Sequence, residues 1–132
     1  MKRTFVDTSA WFAYINGTDP DHRSVERVLS RPGTRLVTTN FVFDEVVTLC
    51  LYRLGHSVAA KVGGILLAGG FLDLMRVTIS DEKAAWALFL ARPDKLYSFT
   101  DCTSFVVMRR LGISEAVAVD ADFRREGFDS IP

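Results

Sequence analysis

The feature that most constrains this chain is a repeated change of period. Short apolar runs of strand length are each followed by an apolar pattern of helical spacing. "RTFVD" (3–7) precedes "SAWFAYIN" (9–16), a short helix ended by Gly17. "TDPDHRSVERVLSRPG" (18–33) predicts a helix capped by Asp19, with Pro20 in its first position and a stripe of Val25, Val28 and Leu29. "RLVTT" (35–39) is a second strand, leading into "NFVFDEVVTLCLYRLG" (40–55), a long and largely buried helix. "HSVAAKVGGILLAGG" (56–70) packs against it as another helix, and "FLDLMRVTI" (71–79) alternates as a strand. "SDEKAAWALFLARPD" (80–94) reads as a helix capped by Ser80, with acids in its first turn. A helix at 98–112, a strand "EAVAVD" (115–120) and a short turn or helix with a last strand at 123–131 complete the order. This alternation predicts an α/β fold: three layers, α/β/α, around a central, mainly parallel sheet. No repeat or linker interrupts it, so residues 1–132 read as one domain.

Composition removes several function classes. Apolar residues make up 48% and charged residues 24%, which is incompatible with wholesale disorder. The longest uncharged apolar run, "VGGILLAGGFL" (62–72), is too short and too glycine-rich to span a bilayer, so no membrane role is expected. Asp7 interrupts any signal-peptide core, and a cytoplasmic location is the expectation. Basic and acidic residues are 16 each, so any nucleic-acid contact has to use a local patch. Cys50 and Cys102 lie inside apolar runs and read as buried small hydrophobes in a reduced protein.

The acids carry more information. In open parallel sheets the functional crevice lies beyond the carboxyl ends of the strands. Asp7 and Asp120 each fall at the last position of an expected strand, Asp101 opens a helix, and Glu45 sits among the apolar residues of another. Each has an ordinary explanation alone. Asp7 can cap the following helix, Asp101 can complete a capping box with Ser98, and Asp120-Ala121-Asp122 can form a turn. Glu45 can pair with Arg53, Arg109 or Arg110. Gathered together, however, carboxylates repel one another and call for a cation. An oxygen-only donor set selects Mg²⁺ or Mn²⁺. His22 and His56 have no partner at ligand spacing, so zinc is not expected.

Four blocks, "TFVDTSAWFAYI", "NFVFDEVVTLCLYRLG", "YSFTDCTSFVVMRRLGI" and "AVAVDADFRREGF", resemble the four motif blocks of the PIN-domain family, in the family's order. More narrowly, the chain is similar to the toxin half of VapBC toxin–antitoxin pairs. The resemblance implies a Mg²⁺- or Mn²⁺-dependent endoribonuclease that leaves a 5′-phosphate and a 3′-hydroxyl. It implies a cognate antitoxin protein as partner, and a homodimer. It places Asp7, Glu45, Asp101 and Asp120 at the acidic metal-site positions, with Asp122 as an alternative or aid to Asp120. Thr8, Ser9, Thr100 and Ser104 fall at polar supporting positions. One departure is Val119, where the family commonly has Thr before the fourth acid.

For gripping RNA, the candidates are Arg92, Lys95, Arg109, Arg110, Arg124 and Arg125. Segment 92–132 holds six basic and seven acidic residues, so these would have to ring an acidic pocket rather than form a basic stripe. The apolar runs at 46–55 and 62–72 offer either core or a surface for self-association or an antitoxin helix. A haloacid-dehalogenase-type phosphatase would need a second Asp at position 9, which is Ser, and a receiver domain an acidic pair where Thr8 follows Asp7. The alternative of a different class is a non-catalytic RNA- or protein-binding module on the same fold.

Overall fold

The structure, a computed structural model, describes residues 2–132. Among these residues five strands and seven helices follow in the order β1 (Lys2–Val6), α1 (Thr8–Ile15), α2 (His22–Leu29), β2 (Thr34–Thr39), α3 (Asn40–Leu54), α4 (His56–Ala68), β3 (Leu72–Met75), α5 (Ile79–Ala91), α6 (Phe99–Leu111), β4 (Glu115–Val117), α7 (Asp122–Arg125) and β5 (Asp129–Ile131). The strands form one sheet in the order β3-β2-β1-β4-β5, and every pairing is parallel. This is the three-layer α/β/α architecture, with a sheet parallel throughout.

The order matters for function. From β1 the chain builds outward through β2 and β3 on one side, then crosses back to add β4 and β5 on the other. The connections thus diverge between β1 and β4, which opens a crevice at their carboxyl ends. Asp7 follows β1 directly, and its amide donates to the Val117 carbonyl at the end of β4 (3.0 Å).

The central strands are apolar on both faces, as a sheet covered by two helical layers requires. Phe5, Val6, Val37, Ala116 and Val117 are fully buried. An aromatic cluster clamps α6 and α7 beside β1. Phe105 meets Tyr97 and Phe123 edge-on, with ring centroids 4.9 Å apart in each case, and Phe123 reaches Phe5 at 6.1 Å.

Several boundaries differ from the sequence expectation, for reasons that lie in individual hydrogen bonds. The strand expected through 79 stops at Met75, because the Val77 amide is taken by the Asn40 side chain (2.7 Å). The cap of the next helix is Thr78 and not Ser80: Thr78 Oγ1 accepts from the Asp81 amide while Asp81 accepts from the Thr78 amide, both at 3.0 Å. Asp19 does not cap α2. It accepts from the Asp21 amide (2.8 Å), holding Pro20 in a turn before the helix. The strand expected to end at Asp120 ends at Val117, so Asp120 stands in the bend beyond it. Finally, α3 is buried along a single stripe, Val42, Val46 and Cys50, whereas Tyr52 is 81% exposed. Among the described residues no helix is long and apolar enough to cross a membrane, and both cysteines are free and buried.

Candidate acidic site at the sheet crossover

Asp7 is the N-cap of α1. Its Oδ2 accepts from the Ser9 amide (3.3 Å) and hydroxyl (2.7 Å), while Oδ1 is buried with no hydrogen-bond partner among the described residues. The residue is only 3% exposed, and among the described residues no cation pairs with it. Burial pushes its carboxyl up to about 7, and the charges of Asp101 and Asp120 push the same way. The Ser9 bonds work against that rise by stabilising the ionised form.

Ser9 does a second job. Its hydroxyl accepts from the Val119 amide (3.1 Å), tying the start of α1 to the bend after β4. That bend carries Asp120, whose Oδ1 accepts from the Asp122 amide (3.0 Å). Burial raises the Asp120 carboxyl, with the Asp122 charge adding to it. Asp122 opens α7 and is held by Arg125 (3.1 Å), so its charge is partly met.

Asp101 stands at the third position of α6 and makes the expected capping box with Ser98. Ser98 Oγ accepts from the Asp101 amide (2.9 Å), and Asp101 Oδ2 accepts from the Ser98 amide (3.0 Å). Burial lifts its carboxyl to about 6, with Asp120 and Asp122 contributing. Capping and membership of the acidic cluster coexist, because a carboxylate has two oxygens and the cap engages one.

The structure therefore brings Asp7, Asp101 and Asp120 within electrostatic reach of one another, with Asp122 at the edge. Glu45 is half-buried on α3, is absent from the leading charges on Asp7 and Asp101, and pairs with none of Arg53, Arg109 and Arg110. Among the described residues, no three His, Cys, Asp or Glu side chains are drawn together tightly enough to form a finished metal cage. The polar atoms nevertheless fit a hard cation. Among the described residues, Asp7 Oδ1, Thr8 Oγ1 and Ser104 Oγ are all buried oxygens without a partner, and buried polar groups are normally satisfied. A divalent ion with its water shell would relieve both the orphaned oxygens and the carboxylate repulsion. Thr100 supplies its carbonyl to the hydroxyl of Thr103 (2.6 Å), which steadies the same helical turn. Thr103 carries no signal in the sequence, since a hydroxyl bonded back into its own helix leaves no pattern.

Over residues 4–128 the chain matches the family model described as PIN domain. The chain belongs to the PIN-domain family. It is 38% identical to the 23S rRNA-specific endonuclease VapC20 of Mycobacterium tuberculosis, over 94% of each chain. The crystal structure of that protein, described as a Sarcin-Ricin loop cleaving toxin, superposes with a TM-score of 0.91, covering 98% of this chain and 99% of that one. The VapC ribonuclease of Aquifex aeolicus is 26% identical, over 96% of this chain and 93% of its own length. VapBC2 of Rickettsia felis, at 14% identity and a TM-score of 0.73 over 97% and 96% of the two chains, shares the fold.

This PIN domain disposes its cations differently from the sequence reading. Arg92 and Arg109 both bind Glu126, Arg110 binds Asp81 through two nitrogens, Arg125 binds Asp122, and Lys95 lies 3.6 Å from Asp94. Of the six candidate RNA contacts, Arg124 alone makes no ion pair among the described residues. The carboxylates that claim these arginines, Asp81 and Glu126, went unnoticed in sequence because the pairings span 17 to 34 positions.

Two apolar hollows lie outside the acidic site. One, about 330 Å³, is formed where α1 faces α4, with Trp11, Tyr14, Ile65 and Phe71 on its walls. The other, about 420 Å³, runs along the end of α5 past Phe89, Leu90, Pro93 and Leu96.

Proposed function

We propose that this PIN domain is a divalent-metal-dependent endoribonuclease, the toxin of a VapBC-type pair, which hydrolyses RNA phosphodiester bonds at the acidic site between β1 and β4. The observation that carries the reading is the buried, uncompensated Asp7 at the crossover, with Asp101 and Asp120 beside it. A structural carboxylate buried to this extent is paired, whereas one left unpaired in a crevice marks a functional site. Full-length similarity to a 23S rRNA-specific endonuclease supports the same conclusion.

Asp7, Asp101 and Asp120 would hold Mg²⁺ or Mn²⁺, with Glu45 completing the acidic face from α3 and Asp122 assisting at the rim. Once bound, the cation supplies a Lewis acid that acidifies water and neutralises charge on the scissile phosphate. The chain's own residues do the rest. Ser9 holds Asp7 correctly turned, and its hydroxyl bond to Oδ2 favours the charged form against the rise that burial causes. Thr8 and Ser104, whose buried hydroxyl oxygens have no partner among the described residues, would bond ligands or substrate phosphate. Their apolar surroundings keep bulk water out and strengthen each electrostatic contact. Arg124, exposed on α7, is the cation best placed to meet flanking phosphates.

The fold also offers surfaces for the partners such a toxin needs. The hollow between α1 and α4 suits an apolar segment of an antitoxin. The exposed stack of Trp86 on Phe89, centroids 5.5 Å apart, suits a second copy of the chain.

The test is calorimetric titration with Mn²⁺ alongside cleavage of purified ribosomal RNA, for wild type and Asp7→Asn. Metal-dependent cleavage in wild type, absent from the folded variant, is the expected result. Metal and RNA binding without any cleavage would instead establish the non-catalytic binding module.

A further inference from the structure

We propose that Glu126 is a positioning residue for the acidic site. By gripping Arg92 and Arg109 together, it fixes α7 and the bend bearing Asp120 against α6, which bears Asp101. The inference rests on the divalent-cation reading given above.

The reasoning starts from α7. At four residues it is a single turn, too short to persist through its own hydrogen bonds. Phe123 anchors it in the aromatic cluster, but an anchor at one side chain leaves the turn free to pivot. Glu126, the C-cap of α7, removes that freedom. Oε1 accepts from Arg92 Nε (3.1 Å), and Oε2 accepts from Arg92 Nη2 (3.3 Å) and Arg109 Nη2 (3.0 Å). The Glu126 carbonyl accepts from Arg109 Nη2 as well (2.9 Å).

Arg92 is the C-cap of α5, and Arg109 lies in the last turn of α6, its guanidinium 5.0 Å from the centre of the Phe128 ring. One buried carboxylate thus joins the ends of three helices. Planar guanidinium forks fix orientation as well as distance, which apolar packing alone does not.

The consequence reaches the site through short stretches of chain. Asp122 begins the turn that Glu126 ends, and Asp120 is held by the Asp122 amide. The loop that leaves Arg92 runs through Tyr97, which feels the charges of Glu126 and Asp122, to Ser98 and Asp101. Loosening the Glu126 grip therefore changes how Asp120 stands relative to Asp101 while leaving both carboxylates in the chain.

The experiment is Mn²⁺ titration calorimetry on wild type, Glu126→Gln, Glu126→Ala and, as a control of matched type, Glu115→Gln. Glu115 is another buried carboxylate held by two cations, at the opposite end of β4. Thermal midpoints are recorded for each. Mn²⁺ affinity is expected to fall about tenfold in Glu126→Gln and further in Glu126→Ala, the scale set by residues that orient metal ligands. Glu115→Gln is expected to lose thermal stability but not affinity. Should Glu126→Ala fail to fold, the isosteric Glu126→Gln decides. Wild-type affinity in the folded Glu126 variants overturns the inference, as does an equal loss in Glu115→Gln, which would indicate general loosening. Absence of Mn²⁺ binding in wild type overturns the metal reading itself, and this inference with it.

Discussion

Two buried carboxylates at opposite edges of the sheet, Glu115 on β4 and Asp7 just past β1, show how differently one fold can treat the same chemical group. Both are under 10% exposed. Glu115 opens β4 at the amino edge of the sheet, where Lys2 (2.8 Å), Arg31 (2.7 Å) and the buried Thr4 hydroxyl (2.8 Å) all donate to it. Burial pushes that carboxyl up, but the three donors overcome it and bring it down to about 2. Asp7 follows β1 at the carboxyl edge. There burial and two like charges act together, Ser9 is the main counterweight, and the carboxyl rises to about 7. The sheet thus keeps a satisfied acid at one edge and a strained one at the other. Strain of this kind is the mark of a ligand or catalytic position.

Substitution at the strained end should produce the largest effect on activity. Asp7→Asn is expected to reduce RNA cleavage by about 10³-fold or more, measured on ribosomal RNA with Mn²⁺. The same change should raise the melting temperature of the metal-free protein near pH 8. A folded-state value near 7 against 3.8 for the free side chain means that the native state holds its proton more tightly. Native stability is therefore greatest at low pH for this group and falls as pH rises through about 7. The difference corresponds to at most about 4 kcal/mol. A lower melting temperature for metal-free Asp7→Asn would break the comparison at its stronger end.

At the satisfied end the effect falls on stability. Glu115→Ala leaves two partly exposed cations and the buried Thr4 hydroxyl without their acceptor, at a cost of about 2 kcal/mol. Denaturant unfolding measures it, and cleavage per folded molecule should be unchanged. The Glu115 contribution, from a carboxyl held below its usual range, is complete above about pH 4.5 and is lost as pH falls toward 2.

Metal affinity offers a sharper contrast. Because Asp7 and Asp101 sit near 7 and 6, Mn²⁺ binding should tighten by about tenfold or more between pH 5.5 and pH 8, with proton release. Calorimetry in buffers of different ionisation enthalpy reads both. A flat profile over that range would mean that the two carboxyls are ionised throughout.

The smallest effect is expected at Arg124. Its replacement by Ala should leave melting unchanged, weaken RNA binding a few-fold and lower the salt slope by about one.

The identity of the elements was legible in the chain, and so was the Asp101 capping box, since both depend on residues a few positions apart. The ends of β3 and β4 were not, because each is set by a distant residue: Asn40 accepts from the Val77 amide and Ser9 from the Val119 amide. The arginines mark the limit most clearly. Side by side in sequence, Arg109 and Arg110 look like one basic patch, yet they serve Glu126 and Asp81 on different elements.

By itself, then, the sequence determined the alternation of strand and helix and the acids poised near strand and helix ends, because periodicity and capping are short-range physics. The tertiary structure decided which acids share a crevice, which are neutralised and which cations stay free. Those outcomes depend on distance and burial between residues up to 113 positions apart, and no local pattern encodes them.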